Sequence, residues 1–356
     1  MMTRINLLQR NMAKENIDCV LITDKYSINY LTGEMIEPGE RLACLIISQN
    51  EKPVFVINKL FLRPELEGFS YDWILDTDNK EKALSRHLSG NIIGIDKIMP
   101  ARFLLPLMDM NKDKSFVLAS FLVDSLRAVK DDKEIELMRK ASKINDAAME
   151  LMRVELSKNR TEKEMAAKLI DFYKEYGSYD YSFEPIVAYG KNAADPHHEN
   201  DDSRPSVGDS IVVDMGCIYK GYCSDMTRTF FYKRADEESK KVYEIVKEAN
   251  QRAIAGIRPG VLLKDIDALA RDYISEKGYG EYFTHRTGHF IGSEVHELPD
   301  VSMAYDLPVE VGNIFSIEPG IYIKDKVGVR IEDLVLVTEN GCEVLNSYPK
   351  DVIIIE

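Results

Sequence analysis

The sequence predicts two domains, a small α/β domain followed by a larger α+β domain. At 356 residues the chain is long for one hydrophobic core and suits two. Strand and helix patterns alternate up to about residue 124, whereas beyond it helices and strands come in separate blocks. A content of 45% hydrophobic and 30% charged residues is typical of globular proteins. We therefore predict domains over residues 1–124 and 125–356.

The first domain begins with Ile5, Leu8 and Met12 at helical spacing, after which the apolar run 19–22 predicts a strand. Four polar residues at 49–52 predict a hairpin turn between two further strands. The remaining predicted elements are strands at 42–47, 54–57, 91–95 and 116–118 and helices at 80–88 and 101–110. Nothing in this part resembles a Gly-rich phosphate-binding loop.

The second domain is predicted to start with a charged amphipathic helix from Asp131 to about Leu156. Thr161, followed three residues later by Glu164, is the capping-box pattern of a second helix that ends near Gly177. The remaining predicted elements are helices at 236–257 and 263–277 and strands at 211–213, 314–317, 321–323 and 329–337. Mostly antiparallel strands would then carry the candidate functional side chains.

Charge and cysteine usage narrow the function classes. The formal net charge of −14 repels phosphate backbones, which disfavours nucleic acid as a partner. Five cysteines without a C-x-x-C pair fit a reducing compartment better than a disulfide framework. The N-terminal segment lacks the apolar core of a signal peptide, and no window approaches about eighteen apolar residues. We therefore predict a cytoplasmic protein without membrane spans.

Two aspartates stand at the ends of extended segments. Asp214 follows the apolar run 211–213, and Asp225 lies three residues before Arg228. Burying either carboxylate bare would cost several kcal/mol, a cost that a bound cation removes. Taken singly, each aspartate is more often a turn former or a cap, and Asp225 could simply pair with Arg228. Both interpretations stay open on this observation alone.

Glu332 is a stronger indication because it interrupts the apolar strand predicted at 329–337. With alternating side chains, Glu332 shares a face with Arg330 and Leu334, so its carboxylate needs a partner. Five of the six histidines also lie between positions 197 and 296, among the acidic strands. Their spacing is not the H-E-x-x-H of a zincin.

The candidate metal ligands are four carboxylates and one imidazole: Asp214, Asp225, His289, Glu318 and Glu332. This oxygen-rich set suits Mn²⁺, Co²⁺ or Fe²⁺, and it tolerates Zn²⁺ while lacking the thiolates of a structural zinc site. Four negative charges around one dication would leave an excess, which two dications balance. We expect two divalent ions per chain, with Mn²⁺ or Co²⁺ preferred over Zn²⁺ or Fe²⁺.

Six strings, in chain order, resemble those of the pita-bread metallopeptidases: VVDMG, YCSDMTRTF, HRTGH, VHE, SIEPGIY and VRIEDLVLVTE. This family includes prolidase, aminopeptidase P, methionine aminopeptidase and creatinase. The stretch LLQRNMAKENIDCVLITDKYSINYLTGE resembles the creatinase-type N-terminal domain, which favours the branch of prolidase and aminopeptidase P. The resemblance covers nearly the whole chain. It implies a pita-bread α+β catalytic domain preceded by a smaller α/β creatinase-type domain.

The resemblance also implies a role for each candidate residue. Asp214 would hold one metal ion, Asp225 and Glu332 would bridge two, and His289 and Glu318 would complete the shell of the other. A water activated by the pair of ions would attack the scissile carbonyl. The other residues that the resemblance places in catalysis or substrate binding are His197, His285, His296, Arg330 and Tyr322, with His296 in an oxyanion-stabilising role.

Two residues fall outside these roles. His198 matches no functional position and is interpreted as structural. Phe290 stands where most relatives carry Gly, so we expect a narrower pocket or a shifted backbone next to His289, with a consequence for substrate range.

The implied activity is hydrolysis of the Xaa-Pro peptide bond. The substrates would be Xaa-Pro dipeptides, as for prolidase, or longer Xaa-Pro peptides, as for aminopeptidase P, and relatives are commonly homodimers. Proline's tertiary amide lacks an N–H, so a dedicated pocket for it makes chemical sense. The alternatives are a broader aminopeptidase, a catalytically silent binding protein that keeps the fold, and a metal-independent creatinase-like amidinohydrolase.

Overall fold

The computed structural model describes residues 2–356, which divide into two compact units. The first unit ends at Arg127 and the second starts at Ala128. Among the helices of this described part, none combines the length and the apolar character needed to span a bilayer.

The first unit is an α/β domain built on one mixed sheet. Its elements are α1 (Met2–Lys14), β1 (Cys19–Ile22), α2 (Lys25–Thr32), β2 (Ala43–Ser48), β3 (Val54–Asn58), β4 (Ser70–Ile74), α3 (Lys80–Ser85), β5 (Ile92–Ile95), α4 (Ala101–Met110), β6 (Ser115–Leu118) and α5 (Phe121–Ala128). The strand order is β4-β3-β2-β1-β5-β6. β1, β5 and β6 run parallel, as do β3 and β4, while β2 is antiparallel to both of its neighbours.

Both faces of this sheet are covered, which explains its unbroken apolar strands. In β1, Val20 and Ile22 pack into one core cluster, and Cys19 and Leu21 pack into another. A strand covered on both faces is apolar throughout, so the run at 19–22 predicts β1 correctly. β4 escapes prediction because its residues, SYDWI, are mostly half-buried and mix polar with aromatic side chains.

The second unit is an α+β domain. Its helices are α6 (Asp132–Leu156), α7 (Glu162–Glu175), α8 (Glu237–Gly256) and α9 (Leu263–Glu276). Its strands are β7 (Ile186–Tyr189), β8 (Ser210–Met215), β9 (Ile218–Tyr219), β10 (Tyr222–Cys223), β11 (Met226–Tyr232), β12 (Gly288–Phe290), β13 (Glu297–Val301), β14 (Ile314–Ile317), β15 (Gly320–Ile323), β16 (Val327–Arg330), β17 (Asp333–Thr338), β18 (Gly341–Val344) and β19 (Ile354–Ile355). The capping box predicted at Thr161 and Glu164 is present at the start of α7.

Two sheets of this unit each carry a helix pair. The order β19-β11-β8-β7 forms one sheet, and β13-β12-β14-β17-β18 forms the other. Side chains of α6 and α7 pack on the first sheet, and those of α8 and α9 pack on the second. In β8, Val213 and Met215 point into the helix-covered core. Because side chains alternate along a strand, Asp214 points to the opposite face.

One predicted strand, 329–337, is divided in the structure. β16 ends at Arg330 and pairs with β15, whereas β17 begins at Asp333 and pairs with β14. Between them, the backbone N–H of Glu332 donates to Thr227 O at 3.1 Å. The prediction of one continuous strand is therefore wrong, because the backbone changes partners at Ile331 and Glu332. Glu332 lies at this change.

Candidate metal centre and active site

The five predicted metal ligands line one cavity of about 650 Å³ in the second unit. The cavity is lined by Phe183, Glu184, Ile186, Pro196, His197, Asp214, Asp225, His285, Arg286, His289, His296, Glu318, Arg330 and Glu332. The side chains that are scattered over more than a hundred residues of sequence therefore converge on one place.

Antiparallel pairing brings the two aspartates together. Asp214 lies in β8 opposite Thr227 of β11, and Asp225 directly precedes β11. The short β9–β10 hairpin returns the chain between them. Asp214 Oδ1 and Asp225 Oδ1 are both buried without a hydrogen-bond partner among the described residues. Buried polar atoms are ordinarily satisfied, so two carboxylate oxygens without a partner beside one cavity fit a cation-binding site.

His289 presents one bare nitrogen to the same place. Its Nδ1 lies 3.1 Å from Phe290 O. Because a carbonyl oxygen only accepts hydrogen bonds, Nδ1 carries the proton, and Nε2 of the neutral ring carries a lone pair. Nε2 lies 3.5 Å from Asp225 Oδ2 and 3.7 Å from Glu318 Oε1. Atoms that share an ion at bond lengths of about 2.1 Å lie roughly 3 to 4 Å apart. A lone pair aimed at carboxylate oxygens at this spacing fits a cation between them.

The backbone around His289 requires a glycine on one side. β12 lies so close to β14 that a Cβ on Gly288 would collide with the carbonyl oxygen of Ser316. The hydroxyl of Ser316 accepts from the His289 N–H at 3.0 Å. This close approach of the two strands holds the imidazole next to Glu318, which follows β14.

Glu332 completes the group. Its Oε2 accepts from the hydroxyl of Thr227 at 2.8 Å, and the same hydroxyl accepts from Arg330 Nε at 3.0 Å. Ligand atoms of Asp225, His289 and Glu332 all lie within 4.8 Å of one another. These three side chains thus fit a divalent cation in chemistry and spacing.

The charges of this group repel one another without a cation. Burial raises the pKa of Asp225 to about 7, and the Asp214 carboxylate adds to the increase. Burial also raises the pKa of Glu332 well above its ordinary value, with Asp225 and Glu318 as further causes. Burial alone would lower the pKa of His289, but Asp225 and Glu318 raise it. A divalent cation bound among these side chains would offset the same repulsion.

The other predicted residues surround this group. His197, His285, His296 and Arg330 line the cavity. The rings of His296 and His289 stand nearly perpendicular, with centroids 4.5 Å apart. Burial, together with His289, lowers the pKa of His296 to about 4, so this imidazole is neutral at pH 7.

Tyr322 lies behind the cavity wall rather than in it. Its hydroxyl accepts from Arg330 Nη1 at 2.9 Å and lies 2.9 Å from His285 Nε2. Because His285 Nδ1 lies 2.7 Å from the carbonyl of Arg286, we assign the proton to Nδ1, and the tyrosine hydroxyl donates to Nε2. Tyr322 therefore orients His285 and Arg330. Arg330 Nη2 in turn donates to Asp214 Oδ2 at 2.7 Å.

One expectation, a pocket narrowed by Phe290, and one open alternative, an Asp225–Arg228 pair, differ from the structure. Phe290 is buried in the core and stacks on Phe315 with ring centroids 5.1 Å apart, so it does not narrow the cavity. Neighbouring side chains of a strand point to opposite faces, so Phe290 faces the core while His289 faces the cavity. The pairing of β12 with β13 also shifts register between these two residues. Arg228 pairs with Asp333 at 2.7 Å, not with Asp225.

Sequence reasoning missed one cationic side chain of the cavity, Arg286. Its Nη1 lies 3.0 Å from Asp300 Oδ1, and 32% of the side chain stays exposed. The signal was its place inside the string HRTGH, between His285 and His289. Glu184 and Phe183, just before β7, also line the cavity without having been predicted.

Comparison with known proteins decides the family. The model of metallopeptidase family M24 matches residues 136–339, which include every ligand candidate described above. The chain belongs to metallopeptidase family M24. The model of the creatinase/prolidase N-terminal domain matches residues 4–129 of this M24 protein.

Relatives of the M24 chain match it over nearly its whole length. An uncharacterized peptidase of Staphylococcus aureus is 37% identical, over 98% of this chain and 100% of that protein. The crystal structure of dipeptidase PepE from Mycobacterium ulcerans has a TM-score of 0.93 and 33% identity, covering 99% of this chain and 97% of that one. A prolidase from Thermococcus sibiricus has a TM-score of 0.91 and 36% identity, covering 99% and 98%.

These findings confirm the predicted family and fold. The second unit is a pita-bread catalytic domain, and a creatinase-type domain precedes it. They also confirm that the chain is a metallopeptidase, which implies that it binds divalent metal.

Proposed function

We propose that this M24 enzyme is a dinuclear Xaa-Pro peptidase that acts best on dipeptides. The observation that carries the proposal is the convergence of four carboxylates and the Nε2 lone pair of His289 in one cavity. The second candidate, an aminopeptidase P that removes the first residue of longer Xaa-Pro peptides, uses the same centre. The two differ in what the far end of the cavity accepts.

The metal ions would be held by Asp214, Asp225, His289, Glu318 and Glu332, with Mn²⁺ or Co²⁺ as the preferred ions. Asp225 and Glu332 would serve both ions. The pair of dications would supply the Lewis acidity for amide hydrolysis and balance the four carboxylates.

The protein's own side chains orient the substrate. The neutral His296 can donate an N–H to the oxygen of the scissile carbonyl, where negative charge develops. Tyr322 keeps the proton of His285 on Nδ1 and so fixes which way that ring faces. Arg330 remains cationic and holds Asp214 through a charge-assisted hydrogen bond. His197 lies at the exposed side of the cavity.

Arg286 favours dipeptides over longer peptides. A dipeptide carries its terminal carboxylate one residue beyond the scissile bond, so a cation in the cavity can bind it. Arg286 retains exposed surface while Asp300 holds one side of its guanidinium. Its fork can bind a carboxylate in two-point fashion.

We expect Arg286→Gln to lower kcat/KM for Ala-Pro by roughly tenfold to a hundredfold, because a charge-assisted hydrogen bond contributes about 1.5 to 3 kcal/mol. Cleavage of Ala-Pro amide, which lacks the carboxylate, should change less than about threefold. The measurement is steady-state hydrolysis of Ala-Pro, Ala-Pro amide and Ala-Pro-Ala by manganese-loaded protein.

Asp300→Asn is the matched control, because it breaks the same ion pair but keeps the cation, so Ala-Pro cleavage should persist. Equal losses on Ala-Pro and its amide in Arg286→Gln would refute the carboxylate role. A wild-type preference for Ala-Pro-Ala would favour aminopeptidase P. Wild-type protein that cleaves none of the three would overturn the proposed function.

The proposal also includes a cellular location and an oligomeric state. The cysteines are free and mostly buried, which supports a reducing, cytoplasmic location. A homodimer is proposed from the family resemblance, and sedimentation equilibrium tests it.

A further inference from the structure

A second group of acidic and histidine side chains lies outside the metal centre. Glu162, His198 and Asp201 come together where α7 begins. Glu162 is fully buried, with no exposed surface, although it is the first residue of its helix. A buried carboxylate at this position needs a full set of donors.

The donors of Glu162 come from one segment, residues 189–201. Oε1 accepts from the Tyr189 N–H at 2.8 Å and from Asn192 Nδ2 at 3.0 Å. Oε2 accepts from the Asp201 N–H at 2.9 Å and from His198 Nε2 at 2.6 Å. Both oxygens are therefore saturated. The direct contact of His198 with Glu162 is shorter than the roughly 3 Å or more that separates two ligand atoms of one ion, so hydrogen bonding explains this group.

The anchored segment has little regular structure of its own. It leaves β7 at Tyr189, forms one helical turn over Asn192–Ala194, and returns near Asp201. On its other side it presses on β16, where a Cβ on Gly328 would collide with the carbonyl oxygen of Ala193. The segment is thus held between Glu162 and Gly328.

The middle of this segment reaches the cavity. Pro196 and His197 line it, and the carbonyl of Pro196 accepts from Arg330 Nη1 at 3.4 Å. His198, the next residue, donates to Glu162. One of two neighbouring histidines therefore lines the active-site cavity while the other binds the buried carboxylate.

We propose that Glu162 and His198 form an anchor that sets the position of His197 in the active-site cavity. Glu162 is a positioning residue: it touches no substrate and acts through the segment that carries Pro196 and His197. This inference rests on the proposed function for its kinetic part. The structural role expected for His198 then becomes specific, since His198 would orient its neighbour His197.

The test replaces Glu162 by glutamine. A Gln amide cannot accept all four hydrogen bonds, because its NH₂ group faces at least one donor N–H. We expect kcat/KM for Ala-Pro to fall about tenfold to a hundredfold, since small misplacements of a reacting group have effects of this size. Backbone amides of residues 189–201 should exchange hydrogen at least about tenfold faster, as expected when their hydrogen bonds open more often.

The matched control is Glu164→Gln. Glu164 lies on the same helix and closes its capping box with Thr161, and its other partner, Arg204, also lies outside residues 189–201. It should lower thermal stability slightly and leave both the exchange of 189–201 and the kinetics within about twofold.

A double-mutant cycle with His197→Ala separates positioning from general damage. If Glu162 acts through His197, Glu162→Gln should have less than about a twofold further effect in the His197→Ala background. An equal loss in both backgrounds would overturn the anchor, and so would unchanged hydrogen exchange at 189–201.

If Glu162→Gln folds poorly, His198→Ala is the second variant. It removes one hydrogen-bond donor of Glu162 at a residue that is only half-buried. Hydrogen exchange and kcat/KM should change in the same direction as in Glu162→Gln, by a smaller factor. If wild-type protein cleaves no Xaa-Pro peptide, the proposed function fails and the exchange measurement alone decides the anchor.

Discussion

Replacing Glu332 by glutamine is expected to lower kcat/KM for peptide hydrolysis by about a thousandfold or more. Glu332 is buried, is oriented by Thr227, and lies within ligand distance of Asp225 and His289. Losing one metal-binding carboxylate removes several kcal/mol of transition-state stabilisation, and each 1.36 kcal/mol is a factor of ten. The metal-free variant should unfold at a higher temperature than metal-free wild type, because a neutral amide avoids the cost of a carboxyl whose pKa is raised by burial and by Asp225. Steady-state kinetics and calorimetry of metal-loaded and chelated protein measure both effects.

Glu339→Gln serves as the control, since Glu339 is exposed just after β17 and faces no ligand candidate. It should leave activity and unfolding temperature unchanged. Glu332→Gln protein with wild-type activity would mean that the carboxylate is structural.

Removing the metal should destabilise the catalytic domain more at pH 8 than at pH 6. Burial, with Asp214 nearby, raises the pKa of Asp225 from its ordinary 3.8 to about 7 in the folded metal-free chain. Between pH 3.8 and about 7 the folded metal-free chain keeps a proton on Asp225 that the unfolded chain has released. The free energy of unfolding therefore falls as the pH rises towards 7 and stays low at pH 8. Bound dications replace that proton and should remove the pH dependence. Saturating metal at a thousandfold excess over Kd contributes about 4 kcal/mol, which corresponds to roughly 10 °C for a domain of this size.

The chain carries its own reference for this experiment. Trp73 is the one tryptophan of the sequence and lies in β4 of the first unit. Tryptophan fluorescence therefore reports that unit, while calorimetry reports both. Chelation should lower the unfolding temperature of the catalytic domain and leave the unfolding temperature measured by tryptophan fluorescence unchanged. A chelator effect that is equal at pH 6 and pH 8 would contradict the electrostatic explanation.

Local sequence signals predicted the elements whose causes are local. The capping box at the start of α7 depends on residues three apart, and α4 and β14 depend on simple periodicity. Capping residues and apolar runs act within a few residues of one another, so a single sequence displays them. The predicted ligands stand at ends or interruptions of such runs, and the resemblance made their common role readable.

Features that depend on long-range partners were not readable in the same way. The break at Ile331 and Glu332 arises because the first half of the apolar run, β16, pairs with β15, whereas the second half, β17, pairs with β14. Arg228 pairs with Asp333, which is more than a hundred residues away in sequence, and not with the nearby Asp225. Arg286, two residues before β12, lines the cavity because β12 pairs with β13 and β14 beside the ligand candidates. Tertiary pairing decides each of these, and local pattern carries no trace of it.

The central claim is that one cavity holds two dications on five named side chains. A crystal structure of manganese-loaded protein, with an anomalous difference map, tests it most directly. We predict two peaks per chain, each about 2.1 Å from ligand atoms, drawn from Asp214, Asp225, His289, Glu318 and Glu332, with Asp225 and Glu332 touching both. A single peak, or peaks that leave these side chains unbound, would contradict the account.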